Sequence, residues 1–332
     1  MQVTFIIRSP GTGFSLETLF YGIAEQLSRG EQISPKLMVL PQISRGLKTI
    51  WQNIIFVKQA NPEFVHITGD VHYAALITKA HKTVLTIPDC VLLSRTPQRS
   101  IRYAIFWLFW YYLPIRKAAI VTAISEKTRQ ELYQYIGKLA DKVQVVPCHY
   151  DPAFTFNPKP FNAEKPTLLH IGTAPHKNLS RLVEAIEGLS CRLVIVGKLT
   201  NAEKENLGKR RIDYQQYADI SQDQMIDLYG QCDIVTFVSL YEGFGMPILE
   251  GQVVGRPVVT SNLSPMTDVG GEGACYVDPT NIDDIRRGIR RVWQDETYRS
   301  ELIRIGRSNA QRFSMERVTA RYAALYESLQ AG

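Results

Sequence analysis

The chain has 332 residues, of which 45% are hydrophobic and 21% charged, and a formal net charge of +6. That length exceeds one ordinary core and fits two domains of about 150 residues each, and the composition excludes a disordered or fibrous chain. The five cysteines, Cys90, Cys148, Cys191, Cys232 and Cys275, lie far apart with no C-x-x-C pair, which reads as reduced core thiols rather than a disulfide framework or zinc site.

The first residues, Met1–Arg8, lack a basic leader and carry too short an apolar run for a signal peptide, so they read as a buried strand. No apolar run approaches the roughly 20 residues of a transmembrane helix. Short apolar runs then alternate with helical patterns: Val3–Ile7 and a helix near Leu16–Leu27; Phe64–Ile67 and Tyr73–Ala80; Thr83–Ile87; Ala119–Ala123 and Glu126–Tyr135; Val143–Val146. Such alternation predicts a parallel sheet wrapped by crossover helices. Asp151-Pro152 and Asn157-Pro-Lys-Pro160 read as a turn-rich linker over 151–164.

The alternation restarts with strands Thr167–Ile171, Arg192–Val196, Ile234–Val238 and Val258–Thr260, and helices Leu179–Leu189 and Met225–Tyr229. Helical patterns fill the rest from Ile282, and the last helix follows Ser314, a plausible N-cap with Arg317 and Arg321 on its exposed face. Two consecutive doubly wound α/β domains, 1–150 and 165–313, with a terminal segment 314–332, are the economical reading. Ligands of such sheets bind beyond the carboxyl ends of the strands, which places the expected site in a cleft between the domains.

The basic surplus belongs wholly to the first half: residues 1–150 hold 17 Lys/Arg against 9 Asp/Glu, and the remainder 21 against 23. Residues 90–125 contain Arg95, Arg99, Arg102, Arg116 and Lys117 and no acidic residue. A basic face suits an anionic partner. Within it, the 13 residues Arg102–Pro114 mix aromatics with aliphatics, too short to span a membrane but suited to a helix lying in the headgroup layer. Arg99, Arg102, Trp107, Trp110, Arg116 and Lys117 are the candidate membrane contacts, the competing reading being a helix that merely covers the sheet. Nucleic-acid binding is not expected, because the cations flank the aromatics and no recognition motif appears.

The stretch Ser239-Leu-Tyr-Glu-Gly-Phe-Gly-Met-Pro-Ile-Leu-Glu250 carries the chemistry. It follows an apolar strand. Gly243 and Gly245 let the backbone turn sharply toward a ligand, and Pro247 suits the first helical turn. A helix starting there aims its free N–H groups at a ligand, which suits a diphosphate. Glu242 and Glu250 then flank the turn, and carboxylates accept hydrogen bonds from sugar or ribose hydroxyls. By spacing alone, a capped strand–turn–helix with two solvated glutamates fits equally well.

Glu242 and Glu250 resemble the E-x7-E motif of the retaining GT-B glycosyltransferases (glycosyltransferase family 4-like, group 1). Leu169-His-Ile-Gly-Thr-Ala-Pro-His-Lys-Asn178, Asp219–Asp233, Val277-Asp-Pro279 and Phe313-Ser314 are similar to further parts of that family, as are Thr122–Ser125 and Val145–Pro147 in the first half. The resemblance implies two Rossmann-like domains facing a central cleft, with the terminal helix crossing back to the first. It also implies transfer of a sugar from a nucleoside-diphosphate-sugar to a hydroxyl, with retention and without a metal or other cofactor. Glu250 would hold the ribose hydroxyls and Glu242 the donor sugar. Gly172, Thr173, Gly243, Phe244, Gly245 and Met246 would line the donor, and Lys177 with His176 would neutralise the leaving diphosphate. The family carries arginine where His176 stands, so Lys198 is expected to contribute charge.

On the acceptor side the resemblance places Gly11, Thr12 and Gly13 in a loop after the first strand. Asp70, His72 and Asp89 are cleft candidates near predicted strand ends, and His66, within the predicted strand Phe64–Ile67, is an acceptor-side candidate that reads more readily as a buried strand residue. The implied acceptor is a saccharide or lipid-linked saccharide, handled in the cytoplasm or on the inner face of the cell membrane. A nucleotide-sugar epimerase or hydrolase, or a non-catalytic scaffold of the same fold, are the alternatives.

Overall fold

The computed structural model describes residues 1–10 and 15–331. They form two compact units, residues 1–149 with the terminal helix Met315–Ala331, and residues 150–314. The expected loop residues Gly11, Thr12 and Gly13 lie outside the described residues.

The first unit holds strands β1 (Gln2–Ile7), β2 (Ser34–Val39), β3 (Phe64–Ile67), β4 (Thr83–Ile87), β5 (Ile120–Ala123) and β6 (Val143–Val145). They form one parallel sheet in the order β2-β1-β3-β4-β5-β6. The central strands are buried along nearly their whole length, as both faces are covered. One face packs on helices Ser15–Ser28 and Met315–Ala331 through Phe5, Phe20, Tyr322 and Tyr326. His66 sits in the middle of that layer: Nδ1 meets the Tyr326 hydroxyl at 2.6 Å and Nε2 meets Thr86 Oγ1 at 2.7 Å. The other face carries the helix Leu47–Ala60, the turn His72–Leu76 and the segment 101–117.

That last segment corrects the sequence reading. It is a helix (Ile101–Phe106), a wide π-turn (Trp107–Tyr112) and a second short helix (Leu113–Lys117). Trp110 is buried, with its indole N–H on the Asp70 carbonyl, and Trp107 donates to the Tyr135 carbonyl. The ammonium of Lys117 bonds the Leu76 carbonyl, and burial lowers its pKa. These three side chains serve the packing of the segment rather than an outside surface. The expected helix Tyr73–Ala80 is two 3-10 turns, His72–Leu76 and Ala80–Lys82.

The second unit holds β7 (Thr167–Ile171), β8 (Arg192–Val196), β9 (Tyr214–Tyr217), β10 (Ile234–Phe237), β11 (Val258–Ser261) and β12 (Cys275–Val277). Their order is β12-β11-β10-β7-β8-β9, all parallel. Counted from β7, this is the Rossmann order 3-2-1-4-5-6, with its switch point between β7 and β10. The Pro-rich stretch before β7 is not a free tether. The buried Asp233 carboxylate accepts the backbone N–H groups of Asn162 and Thr167 and pairs with Lys159 at 2.8 Å. The buried Arg256 guanidinium donates to the carbonyls of Asn157, Tyr229 and Gly230. Two buried charges, each satisfied by several partners, therefore fasten residues 157–167 to the unit.

Candidate functional site

The switch point of a doubly wound sheet opens a crevice beyond its strand ends, because the helices on either side leave in opposite directions. In the second unit the loops after β7 and β10 meet there. The Leu240 N–H donates to the His176 carbonyl at 2.8 Å, joining the two loops. Across this junction Lys177 Nζ lies 2.7 Å from Glu242 Oε1, although 65 residues separate them in sequence. Both side chains are largely enclosed, and the ammonium also sits 4.8 Å from the centre of the Phe237 ring.

Glycine makes this approach possible. Gly172 has φ +94°, and a Cβ there would stand 2.9 Å from Lys177 Cγ and Cε. Gly197, at φ +145°, brings the next loop equally close to Thr173, whose hydroxyl donates to the Lys198 carbonyl at 2.8 Å. Gly172→Ala should thus cost about 1–3 kcal/mol in urea unfolding and dislodge Lys177. A variant with the parent's stability would show that the loop relaxes freely.

Gly245 (φ +127°) starts the helix Met246–Val254, with Pro247 in its first turn. Phe244 is buried and its ring meets Phe313, which fixes the turn. Pro247 has no N–H and the Ile248 N–H donates to the Gly245 carbonyl at 3.0 Å, so the first turn presents the Met246 N–H at the positive end of the helix. Glu250 lies one turn along, where the buried Tyr229 hydroxyl donates to its Oε2. Burial raises the Glu250 carboxyl to about 7, against the opposing pull of the Tyr229 hydrogen bond. Tyr229 carries no local sequence signal for this task; only the fold of helix Gln222–Gln231 against the motif reveals it.

Lys177, Glu242, Gly172, Thr173 and the start of the Met246 helix are thus gathered, with His176 joined through its backbone. The Lys198 ammonium is not: it is 75% exposed and paired with Asp219 at 2.8 Å. Its backbone borders the loop, while its charge points to a surface partner.

In the first unit Arg8, after β1, forks onto Glu17 and reaches Asp70 Oδ2 at 3.3 Å. Asp70 and Asp89 follow β3 and β4, so they share the carboxyl edge of that sheet with Arg8. Asp89 is partly committed, accepting the Val91 N–H at 2.9 Å. His72 is buried, its Nδ1 on the Trp110 carbonyl. His66 is corrected as an acceptor-side candidate: it is fully enclosed by aromatic rings, and burial lowers its pKa to about 3. Sequence patterning does not single out Arg8 and Glu17; the one signal is the position of Arg8 just after a buried strand. Among the described residues no group of His, Cys, Asp or Glu side chains has the makings of a metal site.

Residues 153–309 match the family model described as Glycosyl transferases group 1. The second unit is a group 1 glycosyltransferase domain. Its match covers the loop after β7, both motif glutamates and Tyr229. The chain is similar to the O-antigen chain mannosyltransferase B of Escherichia coli, 30% identical over 173 residues, 48% of this chain and 45% of that protein. It spans less than half the length of the first curated relatives it matches. Among solved structures it resembles Anabaena Alr3699/HepE in complex with UDP and glucose (TM-score 0.74, 16% identity, 99% of this chain and 100% of that one). It equally resembles WaaG, a glycosyltransferase involved in lipopolysaccharide biosynthesis (TM-score 0.74, 16% identity, 98% and 99%). The fold of the chain is GT-B, with two Rossmann-like units as the group 1 resemblance implied.

Proposed function

We propose that the chain transfers a sugar from a nucleoside-diphosphate-sugar to a hydroxyl acceptor, with the donor seated at the switch point of the second unit. The observation that carries this reading is the Lys177–Glu242 contact at 2.7 Å beside the open start of the Met246 helix. Cleaving the anomeric C–O bond leaves the bonding electrons, and hence negative charge, on the diphosphate. The Lys177 ammonium and the positive end of the Met246 helix are the fixed charges that stabilise it. A bound phosphate draws Lys177 from Glu242, and the released carboxylate accepts hydrogen bonds from sugar hydroxyls. Glu250, behind it, serves the ribose. No step in this scheme asks for a metal, and the group 1 resemblance supports retention of anomeric configuration.

On the acceptor side, Asp70 and Asp89 at the sheet edge of the first unit suit sugar hydroxyls. The relatives named above act, by name, on O-antigen chains or in lipopolysaccharide biosynthesis, which supports a lipid-linked saccharide as acceptor. It makes mannose the first donor sugar to test. Among the described residues no helix is long and apolar enough to cross a membrane, so such an acceptor calls for a protein that lies on the inner membrane face.

The experiment is a thermal-shift panel of UDP, GDP and ADP. A ligand at about a hundred times its Kd stabilises the folded state by roughly 2.7 kcal/mol, which raises Tm by about 4 °C at this size. One nucleotide should stand out. No shift with any of the three would remove the donor site.

A further inference from the structure

The helix Leu47–Ala60 has two apolar sides. Its inner side packs on the sheet through Val57, Ile50 and Ile54, and Asn53 locks it by donating to the Gln42 carbonyl and the Tyr73 hydroxyl. Its outer side presents Leu47, Trp51 and Ile55, four residues apart and therefore in one row. Leu47 is 87% exposed and Trp51 60%. A single exposed apolar residue is ordinary; a row led by a tryptophan on a helix is not.

A second row stands on the same layer. Ile101, Ile105 and Phe109 are also spaced by four, and all three are exposed. Both helical segments cover one face of the first unit's sheet and feed one core cluster. Tyr73 links them, its ring 5.1 Å from that of Trp110 and its hydroxyl on Asn53.

Charge selects what such a face meets. No Asp or Glu occurs in residues 32–62 or 90–125. The first stretch holds Lys36, Arg45, Lys48 and Lys58, all exposed, and the second holds the exposed Arg95, Arg99, Arg102 and Arg116. Two such faces from two copies of the chain would set cation against cation. An anionic lipid surface instead offers headgroup charge to the cations and acyl chains to the rows between them.

We propose that Leu47–Ala60 is a lipid-surface helix, and that with the Ile101–Phe109 row it docks the first unit on an anionic bilayer. Leu47 follows the loop after β2, so the row begins at the carboxyl edge of the sheet, where Asp70 and Asp89 lie. A lipid-linked saccharide would then reach those carboxylates from the surface that the helix touches. This last point rests on the proposed acceptor; the docking itself does not.

The test uses the full chain with vesicles of phosphatidylcholine alone or mixed with phosphatidylglycerol. The mixed vesicles should sediment the protein at low salt and release it at high salt. Trp51 is the most exposed of the four tryptophans, so its emission should shift to the blue on binding, and Trp51→Phe should lose that shift. Leu47→Glu with Trp51→Glu should lower the bound fraction about tenfold or more, as should Ile105→Glu with Phe109→Glu.

Nucleotide thermal shifts of the same samples report folding and the donor site separately. Vesicle binding by Leu47→Glu/Trp51→Glu equal to the parent's overturns the helix assignment. So does a lipid-free dimer of the parent that this double variant dissolves, which would make the row a protein interface. A lost nucleotide shift with intact vesicle binding would instead sink the donor site and leave the docking face standing.

Discussion

Lys177→Ala is expected to lower donor turnover by about a hundred- to a thousandfold, with a smaller effect on donor affinity. Its ammonium is held beside Glu242 and over the Phe237 ring, with little water around either partner. Charge in such surroundings acts far more strongly than in bulk solvent. The ground-state donor already carries diphosphate charge, so part of the lysine's effect is uniform binding. The added charge of the departing group exists only as the anomeric bond breaks, and stabilising it raises kcat. The alanine variant also leaves Glu242 without its cation, which would repel the diphosphate. Lys177→Ala/Glu242→Gln separates the two effects: it should recover affinity but not turnover. Steady-state hydrolysis or transfer rates, with kcat and KM resolved, check this. An unchanged kcat in Lys177→Ala would remove the lysine from the reaction.

The fold was legible where strands are central and obscure where they are not. β1, β4 and β10 are buried on both faces and show as unbroken apolar runs. The three strands that sequence patterning missed, β2, β9 and β12, are all sheet edges. β9 reads Tyr-Gln-Gln-Tyr, and β2 contains a proline and a lysine; an edge strand faces solvent and need not be apolar. Helix Leu47–Ala60 escaped for the opposite reason. Its outward Leu47, Trp51 and Ile55 add apolar residues to the side that should be polar, and this blurs the helical period. The feature that hid the helix is the one that suggests a surface for lipid.

Site geometry divides along the same line. The turn at Gly243–Pro247 is local, so glycine and proline announce it. The Lys177–Glu242 contact depends on two strands lying side by side, and only the family resemblance paired those residues beforehand. His66 shows the reverse failure. Its place within a predicted strand leaves an acceptor-side role and a buried position both open, and its partner Tyr326 arrives from 260 residues away to close the core over it. Nothing near His66 in sequence signals that cover. Lys198 stands out in sequence by its position after Gly197, whereas Asp219, which takes its charge, comes from a different loop.

Nucleoside diphosphate binding should strengthen as pH rises toward about 7, and Glu250→Gln should remove most of that dependence. The Glu250 carboxyl lies well above its ordinary 4.5, at about 7, because its surroundings exclude water. The sign for stability follows: between 4.5 and 7 the folded chain keeps a proton that the unfolded chain has released. Stability from this group therefore falls as pH rises across that window and levels off above it. A ribose hydroxyl donates to the carboxylate, so below the folded pKa binding must first expel the proton, at a cost of up to about tenfold in affinity per pH unit. Phosphate groups of the ligand titrate nearby, and Glu250→Gln is the control because it retains their contribution alone. Calorimetric Kd values for parent and variant should converge at low pH and separate by about tenfold or more near neutrality. Equal values throughout would detach Glu250 from the nucleotide. Tyr229→Phe sharpens the case: losing the donated hydrogen bond raises the Glu250 pKa further, so its binding profile should move to higher pH while keeping its shape. A profile that stays in place would mean that Tyr229 packs against Glu250 without tuning it.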